Sequence, residues 1–370
     1  MNDQRREPGQ ASGQASGQMS GQISLADIAA EAGVSVSTVS RIANGDLGRA
    51  SAATVAKVQK LIAERGYRPN PVGRSLRGGD SRLVAMLAPN LDNPAMAAIA
   101  ASTEAALRAA GYVMILCDTH DRPDLQDEYL RAMRSRFAEG FIVVSAVASP
   151  ELEASLDRRE PIVFVNRRNP YGGGPFIGID NRQAGADAAD HLLACGVRAP
   201  AVIHPADLSS TVRERVEGFL DRLEERRPGL TVRRCDGPGG NHLDCGYAAA
   251  KRLTADGGWP DGILCPSDLM AYGLFRAAGE QGVRIPDDCR PVGIDDNDLN
   301  DWIAPWLSSV KIPYQLFGDA VVASLRDLRA GNSIGEVLLP HRLVRRQSDP
   351  TTVLTGCSPA SPPRSGPAAG

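Results

Sequence analysis

Four side chains within LADIAAEAGVSVSTVSRIAN (residues 25–44) are suited to reading the edges of stacked bases: Val36, Ser37, Ser40 and Arg41. An arginine can bond a guanine edge bidentately, a small apolar group packs on a thymine methyl, and a serine hydroxyl donates or accepts. The same stretch holds what is needed to present them. Ala29 is small where two helices must touch, and Gly33 takes the positive φ of a tight turn at low cost. Val39 anchors the second helix, Ile28, Ala32, Val34 and Ile42 fill the remaining inward positions, and Ser35 is placed to cap that helix. The pattern predicts a helix-turn-helix whose second helix enters a major groove. On spacing alone, the competing reading is a helical hairpin with no role on DNA.

Other residues that invite chemistry are weaker. Asp118, His120 and Asp121 have no HExxH helix or matching histidine elsewhere, and read as a solvated loop after a strand. Gly172–Gly174 and GPGG (237–240) lack the GK[ST] of a phosphate loop and read as turns. There is no GxSxG elbow, and His191 and His204 have no recognisable nucleophile partner. Seven cysteines, odd in number and without a CxxC pair, fit reduced thiols better than disulfides or a zinc site. No catalytic residue, cofactor or metal is expected.

These side chains need elements to hold them. Helix-spaced apolar residues recur in 25–32, 36–42 and 55–62, so three short helices are expected. From Leu83 the rhythm changes to short apolar runs (83–87, 112–117, 141–145, 161–165, 177–180, 201–204, 262–265 and 291–295) alternating with amphipathic stretches. That alternation predicts parallel sheets covered on both faces, and its length predicts two lobes with a cleft at the carboxyl ends of the strands. The expected division is a tail at 1–22, a helix-turn-helix domain at 23–68, a hinge helix and linker at 69–80, a two-lobed α/β domain at 81–348, and a tail at 349–370. Between Ile23 and Gly79 there are eight Lys/Arg and four Asp/Glu, a charge of +4. The whole chain is at −3, so the remainder is at −7. A basic module on an acidic body fits a protein that meets nucleic acid with one end. No apolar run is long enough to span a bilayer, and residues 1–22 lack the apolar core of a signal peptide, so a cytoplasmic protein is expected.

AGVSVSTVSRIAN followed by GYRPNPVGRSLR (66–77) resembles the lac-repressor (LacI/GalR) family of bacterial regulators. PNLDNPAM, ERVEGF, CPSDLMAYGLFRA, VRIPDD, PVGIDD and LLPHRLVRRQS extend the resemblance, in the family's order, to Ser348. It implies a periplasmic-binding-protein-like, dimeric effector domain and a repressor of operator DNA controlled by a small polar, sugar-like molecule. It also implies site residues. On DNA these are Ser35, Val36, Ser37, Thr38, Ser40, Arg41 and Asn44, with Arg74 for phosphate and Leu76 as a minor-groove wedge. For the effector they are Asn166, Thr211, Arg215, Asn241, Ser267 and Asp295. Asn241 stands where many relatives carry an aromatic, which counts against a flat purine. The lobes alone would also suit a transport-type sugar-binding protein, but the basic N-terminal module argues against it.

Overall fold

The structure, a computed structural model, describes residues 23–43, 45–67, 81–255 and 257–349. It divides into two units between Ser81 and Arg82. In the first, Ser24 opens helix α1 (Leu25–Ala32) with a reciprocal cap: its hydroxyl accepts from Asp27 N, and Asp27 accepts from Ser24 N. Gly33 ends the helix at φ 71°, the left-handed turn its sequence position called for, and its N–H closes on Ala29 and Ala30. Helix α2 (Val36–Ala43) and helix α3 (Ala52–Glu64) complete the unit. The third helix begins three residues before the apolar spacing predicts, because Ser51 caps it through Thr54 N. Ile28, Ala29, Ala32, Val39, Ile42 and Val58 form the core, with Val34 and Val55 packed against it.

The second unit is built on two six-stranded sheets. The first lobe runs β1 (Leu83–Ala88), α4 (Pro94–Ala109), β2 (Val113–Asp118), α5 (Pro123–Ser135), β3 (Gly140–Val144), α6 (Pro150–Asp157), β4 (Ile162–Val165) and β5 (Phe176–Gly178). The second runs α7 (Asn181–Ala194), β6 (Pro200–Pro205), α8 (Ser210–Arg226), β7 (Arg233–Gly237), α9 (His242–Ala255), β8 (Gly262–Leu264), α10 (Asp268–Glu280), β9 (Arg290–Asp295), α11 (Asn300–Ile303) and β10 (Ser308–Lys311). The chain then returns to the first lobe for α12 (Phe317–Arg329) and β11 (Glu336–Leu338), and crosses once more for β12 (Arg342–Val344). Strand orders are β11-β5-β4-β3-β1-β2 and β12-β10-β9-β8-β6-β7. Neighbours are parallel throughout except at β10–β12.

All eight apolar runs form strands, and β7, β10, β11 and β12 are additional to them. Their sequences hide them. Strand β7 reads RRCDG, and β10 buries Ser308 and Ser309, whose hydroxyls bond Ser348 and Asp268.

Two helix pairs in the second lobe pack by backbone contact. A Cβ on Gly185 of α7 would lie 2.0 Å from Arg215 O of α8, and one on Gly218 of α8 would lie 2.0 Å from Arg182 O of α7. Gly246 of α9 and Gly273 of α10 repeat the arrangement, at 2.1 Å from Met270 O and Leu243 O. These contacts set where the N-terminal ends of α8, α9 and α10 come to rest.

Candidate functional site

On α2, Val36 and Ser37 are exposed, and Thr38, Ser40 and Arg41 are half-buried. Ser35 acts as the helix cap: its hydroxyl accepts from Thr38 N at 3.2 Å and lies 2.8 Å from both Ser37 Oγ and Thr38 Oγ1. Arg41 Nε donates to Ser37 O at 3.2 Å, which braces the guanidinium along the same outer face. Asn44, Arg74 and Leu76 lie outside the described residues.

The other candidates converge. Asn166, Thr211, Arg215, Asn241, Ser267 and Asp295 all line one cavity of about 240 Å³ between the lobes. It opens where loops leave the carboxyl ends of strands from both sheets. Asn166 follows β4 in the left-handed region, φ 66°, and its Nδ2 donates to Ser145 Oγ at 3.1 Å. Its carbonyl accepts from Thr211 Oγ1 of α8 at 2.8 Å, a hydrogen bond that joins the lobes. Beside it, Arg168 bonds Glu214 of α8 at 3.0 Å and also reaches Glu336 of β11.

Arg215 is buried. Its Nε donates to Asn181 Oδ1 at 3.0 Å, its Nη1 to Pro266 O at 2.6 Å, and it faces Asp295 Oδ1 at 3.8 Å. Tyr314 Oη donates to the same Asp295 oxygen at 2.8 Å. Burial pushes the Asp295 carboxyl up to about 7, against the pull of Arg215, while buried Asp268 pushes it further. Asp268 is itself held by Ser309 Oγ, Asn297 N and Asn300 Nδ2. Ser267 caps α10 and meets His242 Nδ1 at 2.9 Å. Burial, then the Arg167 and Arg215 cations, lower His242 to about 4, so its ring is neutral at pH 7. Asn241 Oδ1 accepts from Leu243 N at 2.8 Å, and so opens α9.

Asp121, Ser145, Arg167, His242 and Tyr314 line the cavity without having been singled out for it in the sequence. Asp121 is paired with Arg167 at 2.6 Å across 46 residues of sequence, a spacing with no signature. His242, next to Asn241, was within reach of the sequence reading.

The Asp295 carboxyl gives a pH prediction. Its folded value of about 7 exceeds the ordinary value of about 3.9 in an unfolded chain. Between the two the folded chain holds a proton that the unfolded chain has lost, so this group's contribution to stability is lost as pH rises through that window. Asp295→Asn keeps the uncharged form at every pH. Its melting temperature should fall less from pH 5 to pH 8 than that of the wild type; parallel profiles would mean the carboxylate is already ionised at pH 5.

A helix-turn-helix unit with an exposed second helix, joined in one chain to a pair of α/β lobes around a polar cavity, defines a DNA-binding transcription regulator. Residues 24–70 match the profile of bacterial regulatory proteins of the lacI family, and residues 189–348 that of a periplasmic binding protein-like domain. The chain is 31% identical over 313 residues to the transcriptional regulator PtxS of Pseudomonas putida, covering 84% of this chain and 90% of that one. Among solved structures it is similar to the lac repressor dimer bound to operator and the anti-inducer ONPF, with TM-score 0.80 and 25% identity over 89% of this chain and 99% of that one. It is also similar to the transcriptional regulator CelR in complex with cellobiose, with TM-score 0.66 and 26% identity over 88% and 99%. The chain belongs to the lacI family of bacterial transcription regulators. Among the described residues, no helix is long and apolar enough to cross a membrane.

Proposed function

We propose that this regulator is a repressor whose affinity for its operator is set by a small sugar-like molecule held between the lobes. The observation that carries the reading is the buried Arg215–Asp295 pair with half-buried Tyr314, facing the same cavity as Asn166, Thr211, Ser267 and His242. A guanidinium, a carboxyl and short neutral donors suit a ring of hydroxyls. Asn241, a short amide, suits such a ring better than a stacked planar base. The cellobiose complex of CelR supports the sugar, and the operator-bound lac repressor supports operator binding. The effector acts through its different affinity for two lobe arrangements, a coupling of about 1–3 kcal/mol. Selecting bound sites from random DNA, with and without a panel of sugars, tests this. A palindromic site whose occupancy one sugar shifts is the expected result, and occupancy indifferent to the whole panel would reduce the lobes to a dimerisation device.

Within each half-site, Arg41 is the base reader. Arg41→Ala should cost about 1–3 kcal/mol of operator affinity and relax preference at one base pair. An equal loss on every sequence would make Arg41 a phosphate contact.

The regulator works as a homodimer, which gives two recognition helices for a two-fold operator. A surface for the second copy is at hand. Trp302 is 84% exposed, Ile303 59%, Leu299 48% and Phe275 43%. Tyr272 Oη holds Asn300 at 2.6 Å, tying α10 to α11, and Phe275 stacks on Trp306. Apolar side chains grouped in this way on a surface mark an interface. Trp302→Glu should yield monomers in sedimentation, and an intact dimer would place the interface elsewhere.

A further inference from the structure

One polar cluster in the second lobe belongs to neither the recognition helix nor the cavity. His191 lies in the last turn of α7, and Cys195 caps that helix one turn on. Asp349, after β12, comes back to meet them. Asp349 Oδ2 is 3.9 Å from His191 Nδ1, and Cys195 Sγ is 3.9 Å from both ring nitrogens. The three donor atoms lie within 4.8 Å of one another, and His191 and Asp349 are buried.

The separation between His191 and Asp349 does not suit a hydrogen bond, and the two sulfur contacts lie at the long end of what sulfur allows. A nitrogen and an oxygen that share a proton sit about 2.7–3.2 Å apart. Donors that share a cation sit further apart: bonds of about 2.1 Å to nitrogen and oxygen and 2.3 Å to sulfur put tetrahedral donors roughly 3.4–3.6 Å from each other. The cluster has the looser spacing, with donors within 4.8 Å of one another, at most about 1.2 Å wider than a tetrahedral centre needs. Two of its three donors come from a helix cap and from the segment after β12, outside any helix or strand.

We propose that His191, Cys195 and Asp349 form a binding site for one zinc-class divalent cation, with a fourth position open to water. Imidazole, thiolate and carboxylate together are a zinc set rather than a magnesium or calcium set, which would take oxygen alone. A thiolate and a carboxylate balance the charge of the dication, as a buried ion requires. The near cation, Arg345, stands 3.5 Å from Asp349 with a side chain 60% exposed, so it turns to water as the metal enters. A bound ion would fasten the segment after β12 to the end of α7.

The test uses the full chain, stripped with a chelator and titrated with Co²⁺ as a spectroscopic probe. One equivalent should bind, with an intense thiolate charge-transfer band and tetrahedral ligand-field bands. Zn²⁺ should displace it and raise the melting temperature, and Mg²⁺ should do neither. Cys195→Ser should remove the charge-transfer band. Asp349→Asn should keep the band and weaken binding roughly tenfold or more. Circular dichroism shows whether each variant has folded, and either one alone decides the matter. A wild type that takes up no cobalt overturns the site, and so does a band that survives Cys195→Ser, or cobalt affinity that Asp349→Asn leaves unchanged.

Discussion

Arg215→Ala should abolish the response to effector while leaving ligand-free operator binding near the wild-type level. The guanidinium holds Asn181, Pro266 and Asp295 at once, from a buried position that lines the cavity. Its removal deprives the ligand of a charged partner and leaves the Asp295 carboxyl without the cation that favours its ionised form. Effector affinity should drop at least about 100-fold, or 2.8 kcal/mol at 1.4 per tenfold. Arg215→Lys keeps the charge but not the two-directional fork, and should recover only part of the loss. Calorimetry with the sugar found by the panel screen measures both. Unchanged affinity in Arg215→Ala would remove this residue from the site, whatever happens to stability.

Two glycine substitutions of the same kind should move stability in opposite directions. Gly185→Ala puts a carbon 2.0 Å from Arg215 O and 2.8 Å from Phe219 N, both backbone atoms that no rotamer change can clear. Helices α7 and α8 must separate, at a cost of about 1–3 kcal/mol or more, as in other overpacked cores. Gly279→Ala, near the end of α10, meets nothing within 4 Å, and at that site the methyl only narrows the unfolded ensemble. It should be neutral or stabilise by up to about 1 kcal/mol. Thermal melts of the two variants give the comparison. If Gly185→Ala melted with the wild type, the close approach of α7 and α8 would be wrong. Because Arg215 rides on α8, the same variant should also weaken effector binding.

What could be read from the sequence follows from how each element is built. Leu25, Gly33, Ser35 and Val39 specify their turn and helices through neighbours a few residues away, so local pattern was enough. The buried strands announce themselves as apolar runs because both faces are covered. Strand β10 does not, since its serines are buried as hydrogen-bonding partners of Asp268 and Ser348. Nor does β7, an edge strand whose Arg233 reaches Leu253 O and Gly258 O. In the cavity, Arg215 and Asp295 were legible through the family resemblance and not through spacing. Tyr314 and the Arg167–Asp121 pair were not legible at all: their positions are fixed by the crossing after β10 and by two loops that meet only in the fold.

The late crossings have a consequence for how the molecule is made. Strand β11 is an edge of one sheet and β12 an edge of the other, and they are the last two strands of the described chain. On the ribosome, the first lobe's sheet lacks its edge strand until residue 338 has emerged, and the second lobe's until residue 344. Among the described residues, the core of the first unit lies within Ile23–Tyr67, and N-terminal units fold first during synthesis. The nascent chain therefore carries a finished helix-turn-helix unit for most of its synthesis, attached to sheets with open edges. Any product cut short before Glu336 keeps the helix-turn-helix unit and loses an edge strand from each sheet, so, on the function proposed above, control by an effector would depend on translation through residue 344.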